Sequence, residues 1–293
     1  MKIVKNPHLM LGVSMAIFGT IPIFVRNISV SSGELALYRA VLAVILIGFV
    51  LLITKQKIQL TKFKKEVPLL VISGIAVGVN WILLFEAYKY TTVSVATLSY
   101  YFAPVIVTVL SPFVFREKLT LKQIICFVMS TLGLVMITGI GGSGNGRSHY
   151  IGILFGLGAA VFYATAVMLN KFIKNVDGIQ RTFLQFISAV FVLIPYVLFT
   201  SGVTLNTLDG KGWVNLLIVG FVHTGITYCM YFSSLKELPG QKSAILSYID
   251  PLVAVLISVT VLGEEIGILQ IVGGILILGF TLLDSIDIKV KKN

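Results

Sequence analysis

The chain has 293 residues, of which 57% are hydrophobic and only 12% charged, and its mean hydropathy is +0.98. Soluble domains carry roughly a quarter charged residues, so the composition excludes a water-soluble globule. The formal charge of +11 has no basic soluble surface on which to follow phosphates, which argues against nucleic acid as a partner.

Cutting at polar and charged clusters leaves ten apolar segments, in chain order 8–27, 33–54, 67–88, 93–112, 120–140, 150–173, 179–200, 212–233, 241–260 and 266–286. Each is near the ~20 residues a helix needs to cross a bilayer. The segments are continuously apolar rather than alternating, which predicts helices and not barrel strands. Almost nothing remains for loops, so no separate soluble domain is expected. The first segment lacks a small-residue cleavage pattern and is expected to be retained. With the N-terminus placed in the cytoplasm, 18 of the 23 Lys and Arg fall on the inner side. The other five are Arg26, Arg39, Lys89, Arg147 and Lys211. Basic residues concentrate on the cytoplasmic side, so both termini are predicted there, and the charge reflects topology and contact with anionic lipid.

Two stretches read as copies. YYFAPVIVTVLSPFVFREK begins at Tyr100 and SYIDPLVAVLISVTVLGEE begins at Ser247. At an offset of 147, Tyr101 meets Tyr248, Pro104 meets Pro251, Ser111 meets Ser258 and Glu117 meets Glu264. The register extends to Gln123 with Gln270, and back to Gly78 with Gly225. A weaker match sets Gly12 on Gly156, and segments two and seven place Arg39 opposite Gln185. Five segments per half is an odd number, so the second copy enters the membrane the other way up. The predicted fold is therefore an all-α polytopic membrane protein of ten transmembrane helices. It consists of two inverted five-helix repeats, 1–140 and 150–293, joined by a glycine-rich outer linker at 141–149. That linker has no Lys-Ser/Thr pair after it and no strand before it, so it is not a phosphate loop.

The ten segments, the two halves, the Pro followed thirteen residues later by Glu in each half, and the Arg early in segment two together resemble the EamA-type branch of the drug/metabolite transporter superfamily. The resemblance covers nearly the whole chain. It implies a cavity between the halves, lined by segments one, three, four, six, eight and nine, and alternating access by rocking of helix groups. It says little about substrate, because that branch handles amino acids, nucleosides, sugars, polyamines and drugs.

A charge at membrane depth is costly and marks a functional site by default. Asp250, about nine residues into segment nine, is the sharpest case; it stands beside Pro251, which frees a carbonyl in the preceding turn and predicts a bent helix with exposed polar backbone there. It is read as a charged substrate anchor or proton carrier, against a packing role bonded to Ser247 or Tyr248. Its counterpart in the first copy is Ala103. Glu86 lines an outer vestibule or pairs with Arg39 or Lys89. Arg39 anchors a carboxylate through its planar fork or, the preferred reading, snorkels outward or pairs structurally. His223 suits a proton relay or a neutral bond between helices. Asn80 and Trp81 match Thr227 and Tyr228, and with Tyr101 and Tyr248 they form a candidate aromatic box, set against simple aromatic packing. Glu117 and Glu264 are predicted on opposite faces and read as caps of the helices that follow them. Gly74 with Gly78, and Gly152 with Gly156, permit close helix approach. Cys126 and Cys229 show no metal-like spacing.

The function expected is a secondary active transporter in the cell (cytoplasmic) membrane, not an enzyme. It would export a small polar or amphipathic metabolite, amino acids or related compounds favoured, with protons as coupling partner. Uptake or efflux of organic cations is the alternative, and a channel or a structural role stands behind it. A small-molecule substrate and membrane lipids are the expected partners, a homodimer is left open, and no cofactor or metal is expected.

Overall fold

The computed structural model describes residues 6–56, 58, 60–116, 118–138, 147–176, 178–235, 237–238, 243 and 246–285. The expected linker at 141–149 lies mostly outside these residues, as does Glu117. The described chain is helical, without strands. Seven of its helical stretches are long and apolar enough to cross a membrane, and three shorter apolar helices accompany them.

Helix α1 (Pro7–Gly19) starts with Asn6 accepting from the Leu9 amide and proline in the first turn, and the short α2 (Ile21–Val25) follows after Thr20. Helix α3 (Ser32–Ile53) opens on a capping box in which the Ser31 hydroxyl and the Glu34 carboxylate each accept the other's amide. Such reciprocal caps satisfy amides that a helix start leaves free. Helix α4 (Val67–Tyr90) is followed by α5 (Val93–Tyr100) and α6 (Ala103–Phe115). Next come α7 (Leu121–Thr138), α8 (Arg147–Phe172) and α9 (Gly178–Thr200). Helix α10 (Gly210–Leu217) runs through a π-helical stretch, Ile218–Ile226, into α11 (Thr227–Leu235). Helices α12 (Ile249–Thr260) and α13 (Ile268–Ser285) complete the described chain.

Segment nine breaks where Pro251 predicts a bend, and segment four breaks in the same way. Each breaks at the aligned tyrosine: Tyr101 and Tyr248 both leave regular helix, with ψ near 4° and −8°. The cause is the proline three residues later. Its ring clashes with the carbonyl four residues before it and its nitrogen donates nothing, whereas the first turn of a new helix tolerates both defects. Pro104 and Pro251 therefore lie in the first turns of α6 and α12. Asp250 consequently occupies the first turn of α12, where the exposed amides and the helix dipole favour an acid.

Packing relies on small residues. Helix α4 lies between α8 and α9, α3 lies against α9 and the π stretch, and α7 pairs with α13. A Cβ on Gly74 would run into the Gln185 carbonyl, and one on Gly78 would meet Ala189 at 3.3 Å. Gly152 and Gly156 likewise receive Thr91 and Ser99. The small-residue spacing therefore does place backbones in close contact. In the π stretch, Gly220 and Gly225 accept Leu42 and Leu46 of α3. The π hydrogen bond spans five residues where the α bond spans four, and the glycines at 220 and 225 face leucines spaced four apart at 42 and 46.

Candidate functional site

Between these helices lies a cavity of about 430 Å³, within the range of small-molecule sites. Residues of segments one, three, four, six, eight and nine line it, as the resemblance implies. Arg39 of α3 and Gln185 of α9 add segments two and seven to the wall. The repeat shows directly in the lining: Trp81, Leu84 and Phe85 on α4 match Tyr228, Tyr231 and Phe232 on α11, each at the offset of 147, and all six face the cavity. Positions i, i+3 and i+4 form one helix face, so each copy contributes one aromatic stripe.

Of the residues singled out from sequence, Asn80, Trp81, Tyr101, Tyr228, Tyr248, Asp250 and Arg39 come together around this cavity. Asn80 spends one amide hydrogen on the Ala159 carbonyl at 2.7 Å, which ties α4 to α8. The aromatic rings form two groups. Phe186 stands edge-on to both Trp81 and Tyr228, at 5.1 and 5.2 Å between centroids. Tyr100 contacts Tyr101 and Tyr163 at 5.6 and 5.3 Å. Edge-to-face pairs of this kind hold rings in a defined orientation.

One charge sits in each aromatic group. Asp250 accepts from the Tyr101 hydroxyl at 2.6 Å, a bond between the two copies rather than to Ser247 or Tyr248. Arg39 neither snorkels nor forms an ion pair among the described residues. It is 3% exposed, donates from Nε to Thr224 at 3.0 Å, and lays its guanidinium over Trp81 at 4.2 Å. The π stretch explains this placement. Thr224 bonds back to the Val219 carbonyl five residues earlier, which fixes its hydroxyl toward α3. A desolvated cation over an indole is stabilised by about 2 kcal/mol.

The remaining candidates lie elsewhere. Thr227 turns from the cavity and donates to the Val222 carbonyl at 2.8 Å. His223 is buried outside the lining; its Nε2 shares a hydrogen bond with the Thr20 hydroxyl at 2.8 Å, and its ring packs on Phe24. It thus braces the α1–α2 junction. Glu86 pairs with Lys89 at 2.9 Å at the partly exposed end of α4. Tyr88, Tyr100, Tyr163 and Tyr231 join the lining without having been singled out. Continuing the i, i+3, i+4 face from Trp81 and Tyr228 would have found Tyr88 and Tyr231. Cys126 and Cys229 are free, and no group of ligating side chains able to hold a metal occurs among the described residues.

Glu264 corrects a second expectation. It does not cap its own next helix. Its carboxylate receives Arg26 at the end of α2, the Ser258 hydroxyl of α12, and the Val93 amide that opens α5, the last at 2.8 Å. The caps belong instead to the aligned glutamines: Gln123 accepts from the Thr120 amide at 2.9 Å, and Gln270 from the Gly267 amide at 3.0 Å. A side chain at the third helical position folds back onto the helix start, whereas Glu264, before the turn, points across the bundle. Glu34 plays a similar part nearby, buried and accepting from the Thr204 amide at 2.5 Å and the Tyr38 hydroxyl at 3.0 Å.

Comparison with known proteins agrees with this architecture. A chain of Bacillus subtilis (strain 168) named as the uncharacterized transporter YxxF is 31% identical over 282 residues, covering 96% of this chain and 90% of that one. An uncharacterized transporter of Clostridium kluyveri is 27% identical, covering 84% and 82%. An uncharacterized transporter of Archaeoglobus fulgidus is 24% identical, covering 92% and 93%. A solved crystal structure superposes with a TM-score of 0.65 at 16% identity, over 94% of this chain and 97% of the other, and so shares the fold. The profile of the EamA-like transporter family matches twice, over residues 6–139 and 150–285. The chain is a multi-pass membrane protein that belongs to the EamA-like transporter family.

Proposed function

We propose that this protein is a secondary active transporter that moves a small polar or amphipathic metabolite, amino acids or related compounds favoured, out of the cell by alternating access. In this reading ten helices form two inverted five-helix repeats in the cytoplasmic membrane, both termini are cytoplasmic, and proton movement drives the cycle. The observation that carries it is the cavity itself: about 430 Å³, walled by matching aromatic stripes from both copies, and holding Asp250 on a tyrosine of the other copy. An acid at membrane depth that reaches across the repeat is suited to report occupancy on one side to helices on the other. Asp250 is the anchor or proton carrier; His223, bonded to Thr20, and Glu86, paired with Lys89, stand outside the cavity and are given no step. The breaks at Tyr101 and Tyr248 supply joints about which such helices can turn.

The test is counterflow in proteoliposomes. A carrier exchanges labelled for unlabelled substrate and saturates, whereas a channel does neither. Asp250→Asn is expected to abolish proton-driven accumulation with unchanged folded yield. Accumulation at the wild-type rate would remove Asp250 from the mechanism. The second reading, transport of organic cations, draws on tyrosines grouped about a carboxylate, since aromatic faces also bind quaternary amines. Competition by quaternary amines but not by neutral amino acids would establish it.

A further inference from the structure

From the two charges in the cavity we infer that the site selects zwitterions. Arg39 receives the carboxylate of the substrate and Asp250 receives its ammonium, an assignment that rests on the carrier reading above and deepens it.

Arg39 is nine-tenths and more buried, yet only its Nε has a partner among the described residues, Thr224 at 3.0 Å. Its two terminal nitrogens make no hydrogen bond there, and neither is closed off from the cavity. Asp250 repeats the pattern with opposite sign. One oxygen is taken by Tyr101 at 2.6 Å, and the other has no partner among the described residues, with Asp250 lining the same space. A buried charge without a counter-charge is strongly unfavourable, and a forked guanidinium suits a carboxylate held through two bonds. The two residues do not neutralise each other, because no ion pair joins them. Thr224 and the Trp81 ring pin the arginine, while Tyr101 pins the acid. Tyr88 and Tyr228 line the same space as both charges. A ligand lying along these rings and carrying both charges would complete the unpaired valences at each end. A simple amine would leave Arg39 bare, and a simple acid would leave Asp250 bare.

The repeat makes the two charges separable. Positions 39 and 185 correspond, as do 103 and 250, and the partners are Gln185 and Ala103. The duplicated framework thus tolerates neutral residues at both places, and each charge exists on one side only. Their asymmetry is the specificity.

The experiment compares three probes that share a phenyl ring: phenylalanine, phenethylamine and 3-phenylpropionate. Each is measured by counterflow in proteoliposomes and by thermal shift of the purified protein. Phenylalanine is expected to saturate and stabilise, with the other two at least ten-fold weaker in wild type. Arg39→Gln should lower apparent affinity for phenylalanine at least ten-fold while sparing phenethylamine, and Asp250→Ala should do the same while sparing 3-phenylpropionate. Arg39→Lys, which keeps the charge, should lie between, and it guards against loss of folding in the glutamine variant. Equal handling of phenethylamine and phenylalanine by the wild type would overturn the inference in favour of a cation carrier. Equal handling of 3-phenylpropionate would overturn it by showing Asp250 to be no ammonium site. Counterflow of a sugar or nucleoside, but of none of the three, would overturn it and leave the carrier reading intact. Absence of counterflow with any of these solutes would overturn both.

Discussion

The seam between α7 and α13 and the walls of the cavity are made from equally apolar helices, yet they are held together by different means. At the seam, a Cβ on Gly133 would lie 2.6 Å from the Gly273 carbonyl, and one on Gly273 would lie 2.5 Å from the Gly133 carbonyl. Backbone meets backbone, both ways, with nothing between. Around the cavity, glycine contacts such as Gly74 on Gln185 are joined by rings and hydrogen-bonded side chains, and the helices themselves break at Tyr101 and Tyr248 or loosen into a π turn. In lipid no hydrophobic force draws helices together, so close van der Waals contact and interhelical hydrogen bonds must hold them. The seam uses the first, which leaves it one arrangement. The cavity adds the second, and hydrogen bonds can be exchanged for bonds to a ligand.

That contrast can be broken most severely at the seam. Gly273→Leu should cost well over 2 kcal/mol, since overpacking costs 1–3 kcal/mol even where neighbours can shift and here the obstacle is backbone. Detergent-solubilised yield and melting temperature would measure it, and a normal melt would mean the seam is looser than its geometry. A smaller effect, confined to function, is expected from Tyr101→Phe. It keeps ring and shape but removes the bond to Asp250, and a hydrogen bond to a charged group is worth about 1.5–3 kcal/mol. Transport affinity should fall about ten-fold with little change in melting. A large drop in melting instead would make that bond a structural fastening. The smallest change is expected at Glu86→Gln. The pair with Lys89 is partly exposed, and such pairs contribute ~0–1 kcal/mol. Transport and melting should both stay near wild type, and a clear loss of transport would return Glu86 to the coupling path.

Much of this arrangement is legible in sequence because the repeat says where equivalent positions meet. Aligned residues Trp81 and Tyr228, and Tyr101 and Tyr248, share the cavity for that reason. A hydropathy run reads straight through Tyr101 and Tyr248, and only the prolines three residues later mark the breaks. What was not legible is the π stretch and side-chain direction. No residue pattern announces the π stretch, and it decides that Thr224 holds Arg39 while Thr227 points away. Glu264 misleads for a related reason. Its neighbour in sequence is a helix start, but its partners are Arg26 and Val93, and no local pattern encodes a contact at that range.

Arg26 and Glu264 are separated by 238 residues, which has a consequence for biogenesis. At 5–20 residues per second, roughly 10–50 s pass between synthesis of the arginine and arrival of its carboxylate. During that interval the opening amide of α5 also waits for the same group, and Tyr101 waits for Asp250. The earlier helices therefore enter the membrane with their mutual contacts incomplete, and the last fifth of the chain closes them. Two separately expressed halves should each be short-lived alone and recover when made together.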